Sequence, residues 1–144
     1  MSSRAYFEVY FHITWHTKSN LPLITPAIEP DLYKFIRDRV FATDGAIVHA
    51  IGGIETHVHI AVSLPPTLQP AEWVGQIKGA SSHHINRLHG PNILQWQNGY
   101  GIVTFGEKDL EWVVGYIENQ KQRHGSRRIS DRLERISHPE DGGG

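Results

Sequence analysis

Two histidines separated by one residue, His57 and His59, are the clearest sign of chemistry in the sequence. Side chains at positions i and i+2 of a β-strand project from the same face of the strand. Two imidazoles placed in this way can bind one metal ion. The sequence contains ten histidines, however, so a pair at this spacing also arises by chance. The spacing alone supports a metal site and two ordinary surface histidines about equally.

Two other histidine-based chemistries can be tested against the sequence. A histidine-triad nucleotide hydrolase needs a third histidine at the position that Ala61 occupies. A two-histidine phosphoesterase needs two H-x-T or H-x-S motifs. His12 and Thr14 form one such motif, but residues 57–59 do not form the second. The sequence therefore favours neither of these classes.

Tyr116 and Gln120 form a second candidate group, four residues apart on a predicted helix. Side chains at positions i and i+4 lie on one face of a helix. A tyrosine phenol ionises only near a pH of about 10, so it needs a metal or a base to act as a nucleophile. The amide oxygen of Gln120 is a hard ligand that suits Mg²⁺ or Mn²⁺. Without the histidine pair, Tyr116 would more often be a packing residue.

The hydrophobic pattern predicts the elements that position these residues. Alternating polar and apolar residues indicate strands over 6–16, 47–54, 56–64 and 100–105. Helical spacing and punctuation indicate a helix that opens at Asp31, a second over 70–89, and a third over 108 to about 123. The pair Gly52-Gly53 predicts a bulge or tight bend.

The order of these elements is that of a split βαβ, ferredoxin-like fold of the α+β class. We predict an antiparallel sheet with helices on one face, followed by a C-terminal helix that carries Tyr116. Since Val58 and Ile60 face the core, His57 and His59 would lie on the opposite, open face. We expect a single domain over residues 1–137 and a disordered tail over 138–144.

Composition excludes several classes of protein. The 144 residues include no cysteine, which rules out a disulfide scaffold, a cysteine zinc site and a thiol nucleophile. No apolar run is long enough for a membrane span, and the first residues lack a secretory pattern, so we expect a cytoplasmic protein.

A net charge of −1 argues against a general nucleic-acid binder. A basic stripe from Lys121 to Arg135 could still contact phosphates, although charge alone favours a solvated helix end.

Five short motifs occur in the order and spacing of a known family. The chain resembles the HUH single-tyrosine transposases of the insertion-sequence 200 type, including the REP-associated tyrosine transposases. The matching segments are Phe11–Lys18 (ending in W-x-T-K), Thr56–Ile60 (containing H-V-H), Lys78–Ser82 (K-G-x-S-S), Trp96–Tyr100 (W-x-x-G-Y) and Tyr116–Gln120 (Y-I-x-x-Q). The resemblance covers nearly the whole chain.

The resemblance implies a DNA transposase that cleaves and rejoins single-stranded DNA. A divalent metal, Mg or Mn, would be held by His57, His59 and Gln120, and Tyr116 would form a 5′-phosphotyrosine. The resemblance also implies a homodimer that binds hairpin-containing single-stranded DNA, and no membrane partner. The alternative is a domesticated relative that binds DNA or RNA without cleavage, against which the intact Tyr116 and Gln120 argue.

The resemblance also suggests residues that contact DNA, and the sequence differs from the family pattern at Thr56. The residues expected at DNA are Lys78, Ser81, His12, Lys121 and Arg123. Helix packing is an equally open role for Lys78 and Ser81. The family usually has an aspartate before the first histidine, where this sequence has Thr56. A carboxylate that orients an imidazole is therefore expected to be absent or displaced.

Overall fold

The computed structural model describes residues 6–137, in which four strands pair into one antiparallel sheet. The strands are β1 (Tyr10–His16), β2 (Ile47–Ile54), β3 (His57–Ser63) and β4 (Gly101–Phe105). The helices are α1 (Glu29–Ala42), α2 (Pro70–His89), α3 (Leu110–Glu118), α4 (Gln120–Gly125) and α5 (Asp131–Glu134). The sheet order β2-β3-β1-β4 confirms the predicted split βαβ architecture. The tail predicted over 138–144 lies outside the described residues.

One face of the sheet holds the main hydrophobic core. Alternation along the strands directs Ile13 of β1 and Ile60 of β3 to this face, where both are fully buried. Leu32 of α1 and Ile77 of α2 belong to the same core. The first two helices therefore cover one side of the sheet, as the alternating pattern predicts.

The opposite face was predicted to be open and to be reached by the helix that carries Tyr116; that helix does reach it, but the face is buried rather than open. Helix α3 packs on β2 and β3, with Ala50 and Ala61 beneath Val113 and Ile117. At Gly52 a Cβ atom would fall 3.0 Å from the carbonyl carbon of Ile117, and closer still to its oxygen. Small residues on the sheet thus allow the backbone of α3 to approach closely, and α3 covers part of the face that carries the histidines.

Several boundaries differ from the sequence prediction. Strand β1 begins at Tyr10 rather than at residue 6, and α1 begins two residues before Asp31. The register shift of β2 lies between Val48 and Ala50, whereas the predicted Gly52-Gly53 bulge is absent because both glycines pair regularly with β3. No helix within residues 6–137 has the length and apolar character needed to cross a membrane.

The predicted third helix is broken at Asn119, whose backbone angles are φ −109° and ψ 27°. The amide Nδ2 of Asn119 donates to the carbonyl of Gly115 at 2.7 Å. Asparagine side chains that bond nearby backbone groups compete with regular helix geometry. The break separates Tyr116 on α3 from Gln120 on α4, yet both side chains remain buried.

Candidate metal centre and nucleophile

The paired strands β1 and β3 build a surface of histidines beneath α3. Their register places Thr14 opposite His59 and His16 opposite His57, so the polar residues of both strands share one face. The His57 and His59 ring centroids are 4.9 Å apart. Both side chains are buried, with exposed fractions of 3% and 0%. The predicted pair therefore faces one side of the sheet, but beneath protein rather than in solvent.

A neighbouring side chain orients each imidazole through its Nδ1 atom. Nε2 of His12 lies 2.8 Å from Nδ1 of His59, and Oγ1 of Thr56 lies 3.1 Å from Nδ1 of His57. The hydroxyl of Thr56 thus contacts the imidazole that the missing carboxylate was expected to orient. Burial is the main reason that the pKa of His12 falls to about 3, and repulsion from His59 is the second. Burial also lowers the pKa of His59 to about 4. Neutral imidazoles are the form that binds metals.

Glu134 of α5 and His124 of α4 complete a cluster of four possible ligands. Oε1 of Glu134 lies 3.3 Å from Nε2 of His57 and 3.2 Å from Nε2 of His59. Oε2 of Glu134 lies 3.4 Å from Nε2 of His124. One ligand atom from each of the four residues lies within 4.8 Å of the other three.

A buried nitrogen in this cluster tests whether a metal would fit. Nε2 of His57 is buried, and among residues 6–137 it forms no hydrogen bond of regular geometry, although Oε1 of Glu134 lies 3.3 Å away. A buried polar atom without a well-formed hydrogen bond is costly, and a cation bound there would remove that cost. Imidazole nitrogens and a carboxylate are also suitable ligands for a divalent transition metal. The residues present therefore fit a divalent cation.

Gln120 lies at the edge of the cluster despite the helix break. Its Oε1 atom accepts a hydrogen bond from Nε2 of His124 at 3.1 Å, and its Nε2 atom donates to the carbonyl of Tyr116 at 3.3 Å. Its side chain is buried, and its oxygen faces a candidate ligand. The role of Gln120 as a metal ligand remains a prediction.

The Tyr116 hydroxyl points into the same cluster. It donates a short hydrogen bond to Oε2 of Glu134 and accepts one from the backbone N–H of Ser130 at 2.7 Å. Its ring stacks on Trp112 and stands edge-on to His59. Burial and the bond to Glu134 raise the pKa of Tyr116 to about 12, so the phenol holds its proton at neutral pH. The structure thus brings the predicted nucleophile and the histidine pair together.

Sequence reasoning missed His124 and Glu134. His124 follows Gln120 by four residues, as Gln120 follows Tyr116, so the helical stripe could have been extended to it. Glu134 had no comparable local pattern, because it lies 75 residues from His59 on a helix of four residues.

Two of the predicted DNA contacts lie among the residues that support α2. The ammonium of Lys78 donates to the backbone carbonyls of Gln97 and Gly99. The hydroxyl of Ser81 is buried, donates to the carbonyl of Lys78 and accepts from the Trp96 indole. Both side chains are thus engaged in packing α2 against the segment before β4, and their contact with DNA remains a prediction.

Two of the other three predicted DNA contacts, His12 and Arg123, lie in or beside the cluster. His12 is buried against His59. Lys121 is exposed and forms an ion pair with Glu29 at 2.6 Å. The Arg123 guanidinium stands 5.6 Å from the centroid of Trp112, above the aromatic pair that includes the candidate nucleophile. Lys121 and Arg123 remain candidates for phosphate contacts.

Known proteins resemble this chain in sequence and fold. Residues 5–120 match the family of IS200-like transposases. The ISDra2 transposase TnpA of Deinococcus radiodurans is 25% identical over 125 residues, which cover 81% of this chain and 87% of the relative.

Two solved structures share the fold. One is a candidate transposase from Deinococcus radiodurans R1, with a TM-score of 0.64, 22% identity and coverage of 83% of this chain and 97% of that chain. The other is a REP-associated tyrosine transposase bound to a REP hairpin, with a TM-score of 0.60, 17% identity and coverage of 87% and 74%. At these identities the two structures support the fold alone.

Proposed function

This chain belongs to the IS200-like transposase family, and from that premise we propose that it cleaves and rejoins single-stranded DNA with Tyr116 as nucleophile. One observation supports the proposal most strongly. The Tyr116 hydroxyl and the Nε2 atoms of His57 and His59 converge on a single carboxylate, that of Glu134. A nucleophile and a metal centre that contact the same carboxylate are close enough together to act on one phosphate group.

The proposed metal ligands are His57, His59 and Gln120, with Mg²⁺ or Mn²⁺ as the cofactor. When bound there, a divalent cation would polarise the scissile phosphate and offset the negative charge that develops on its oxygens. His12 and Thr56 hold the two imidazoles by their Nδ1 atoms, which keeps both Nε2 atoms directed at the cluster. Removal of either support would misalign a ligand rather than delete it.

Tyr116 would attack the scissile phosphorus through its phenolic oxygen. The phenol loses its proton, the bond from phosphorus to the 3′ oxygen breaks, and the departing 3′ oxygen takes up a proton, which leaves a 5′-phosphotyrosine and a free 3′-hydroxyl. A 3′-hydroxyl can later attack the phosphotyrosine and restore a phosphodiester. One phosphodiester bond is exchanged for another at each step, so rejoining needs no added source of energy.

We also propose hairpin-containing single-stranded DNA as the substrate and a homodimer as the active form. The similar REP-associated transposase was solved with a REP hairpin, which supports a DNA hairpin as ligand. The alternative of a binding protein without cleavage is not favoured, because it gives no reason for the convergence of Tyr116 with His57 and His59.

A covalent adduct tests the proposal. The protein is incubated with Mn²⁺ and single-stranded DNA from both flanks of its gene, labelled at either the 3′ or the 5′ end. We expect an adduct on a denaturing gel that carries only the 3′ label, disappears with chelator and is absent from Tyr116→Phe. Tyr33→Phe is the matched control, since it removes a tyrosine hydroxyl that bonds Glu29, outside the cluster. The same adduct in Tyr116→Phe would refute the proposal.

A further inference from the structure

The segment that carries Glu134 closes over the candidate site from outside the part of the chain that matches the family. The match ends at residue 120, whereas α5 begins at Asp131. Leu133 is buried, and the Arg132 guanidinium donates to the carbonyl of Thr104. The carbonyl of Arg135 lies so close to Gly101 that a Cβ atom there would collide with it. This stretch is therefore docked on the sheet by specific contacts.

Two distances from Oε1 of Glu134 are those expected between ligands of one cation. Oε1 of Glu134 lies 3.3 Å from Nε2 of His57 and 3.2 Å from Nε2 of His59, whereas its other oxygen, Oε2, lies 3.4 Å from Nε2 of His124. Hydrogen bonds between an ionised carboxylate and a protonated nitrogen are usually shorter, about 2.7–2.9 Å. Ligand atoms bonded to one cation at about 2.0–2.2 Å lie about 3–3.5 Å from one another. Oε1 of Glu134 thus lies at ligand-to-ligand distances from Nε2 of both His57 and His59.

Glu134 also occupies the place that a DNA phosphate needs. One of its oxygens faces Nε2 of His57 and His59, and the other accepts from the Tyr116 hydroxyl. A scissile phosphate must likewise join the metal centre to the nucleophile, and two anionic groups cannot occupy that position together. In the structure Tyr116 is 0% exposed, and the backbone N–H of Ser130 covers its oxygen. DNA therefore reaches Tyr116 only after the segment moves away.

We propose that Glu134 is an exchangeable metal ligand. In the DNA-free protein it would fill the coordination position that a phosphate oxygen of the DNA takes over, and α5 would leave the site with it. The proposal rests on the proposed function, since it assumes that DNA is the competing ligand. It predicts that Glu134→Gln weakens the binding of metal in the absence of DNA and strengthens the binding of DNA.

Calorimetry with Mn²⁺ in the absence of DNA tests the ligand role. We expect Glu134→Gln to lower the Mn²⁺ affinity roughly ten-fold, because an anionic ligand is replaced by a neutral amide. Asp131→Asn is the matched control, since it removes the same charge from an exposed side chain of α5. An unchanged affinity in Glu134→Gln would overturn the proposal, whether or not the protein cleaves DNA.

DNA binding and single-turnover cleavage test the exchange. With chelator present, we expect Glu134→Gln to bind single-stranded DNA several-fold more tightly than the wild type, because no carboxylate competes with phosphate. With saturating Mn²⁺ and subsaturating DNA, adduct formation should be faster than in the wild type, because the carboxylate no longer competes with the scissile phosphate. A ten-fold loss of rate under these conditions would mean that Glu134 is needed during the reaction, and the proposal would be wrong.

Gly101→Ala provides a second variant that alters no candidate ligand. Its Cβ would displace the carbonyl of Arg135 and undock the segment, so it should weaken Mn²⁺ binding and strengthen DNA binding as Glu134→Gln does. DNA affinity unchanged in both variants would contradict the exchange. An absence of wild-type adduct, by contrast, would refute the proposed cleavage, while the Mn²⁺ titration would still decide the ligand role of Glu134.

Discussion

The close approach of α3 to the sheet at Gly52 gives a prediction about catalytic geometry. A Cβ atom at this position would lie 3.0 Å from the carbonyl carbon of Ile117 and 3.1 Å from its Cγ2. Carbon atoms in ordinary contact are about 3.5–4.0 Å apart. Gly52→Ala must therefore push the backbone of Ile117 outward by roughly 1 Å. Tyr116 precedes Ile117 in the chain, so its hydroxyl would move away from His57 and His59.

The size of the effect follows from this shift. Misplacement of a reacting group by about 1 Å can lower a rate by about 100-fold. Overpacking at a helix–sheet contact costs about 1–3 kcal/mol of stability. We thus expect Gly52→Ala to remain folded with a lower melting temperature, and to form the DNA adduct about 100-fold more slowly. Mn²⁺ affinity should fall less than the rate, because two of the three proposed ligands, His57 and His59, belong to β3, whose pairing with β1 is untouched, whereas Gln120 shifts with Ile117.

Single-turnover adduct formation at saturating Mn²⁺ and DNA measures this rate, and thermal unfolding measures the stability. Gly75→Ala is the matched control, since a Cβ at Gly75 on α2 meets no atom of the described residues within 4 Å. It should cleave like the wild type. If Gly52→Ala also cleaved within a few-fold of the wild type, the tight docking of α3 would not set the position of the nucleophile.

Three further predictions concern the metal centre and assembly. His57→Ala and His59→Ala should each abolish metal-dependent cleavage at a stability cost of about 1–3 kcal/mol; unchanged Mn²⁺ affinity in both would refute the metal assignment. His12→Phe should lower Mn²⁺ affinity by about 10–100-fold through loss of the Nδ1 contact to His59, as calorimetry would detect; wild-type affinity would exclude that orienting role. The protein should be a homodimer at micromolar concentration; a monomeric mass by light scattering would contradict this.

The strand pattern predicts the architecture because the polar or apolar character of each strand residue indicates the face of the sheet on which its side chain lies. Val58 and Ile60 alternate with His57 and His59, so one slip in register would move the histidines into the apolar core. Helices α1 and α2 are long enough to show their own spacing. The sheet order and the common face of the histidine pair therefore follow from local patterns.

The remainder of the candidate site depends on contacts between distant parts of the chain. Nothing near Glu134 distinguishes it from an exposed carboxylate on a short helix, because its role arises only when α5 docks beside His59. The glycine at position 52 was interpreted as a bend, whereas its importance comes from the helix above it. The break at Asn119 depends on the balance between a side-chain hydrogen bond and helix continuation, which spacing does not show.

The central claim is that the oxygen of Tyr116 becomes bonded to the 5′ phosphate of cleaved DNA. Nuclease and trypsin digestion of the adduct, followed by mass spectrometry of the peptides, measures this directly. The tryptic peptide over residues 109–121 contains Tyr116 as its single hydroxyl-bearing residue, so the attachment site is unambiguous. We predict a nucleotide-5′-phosphate on this peptide and a free 3′-hydroxyl on the released strand. A nucleotide on another peptide, or a 3′-phosphate on the released strand, would contradict the claim.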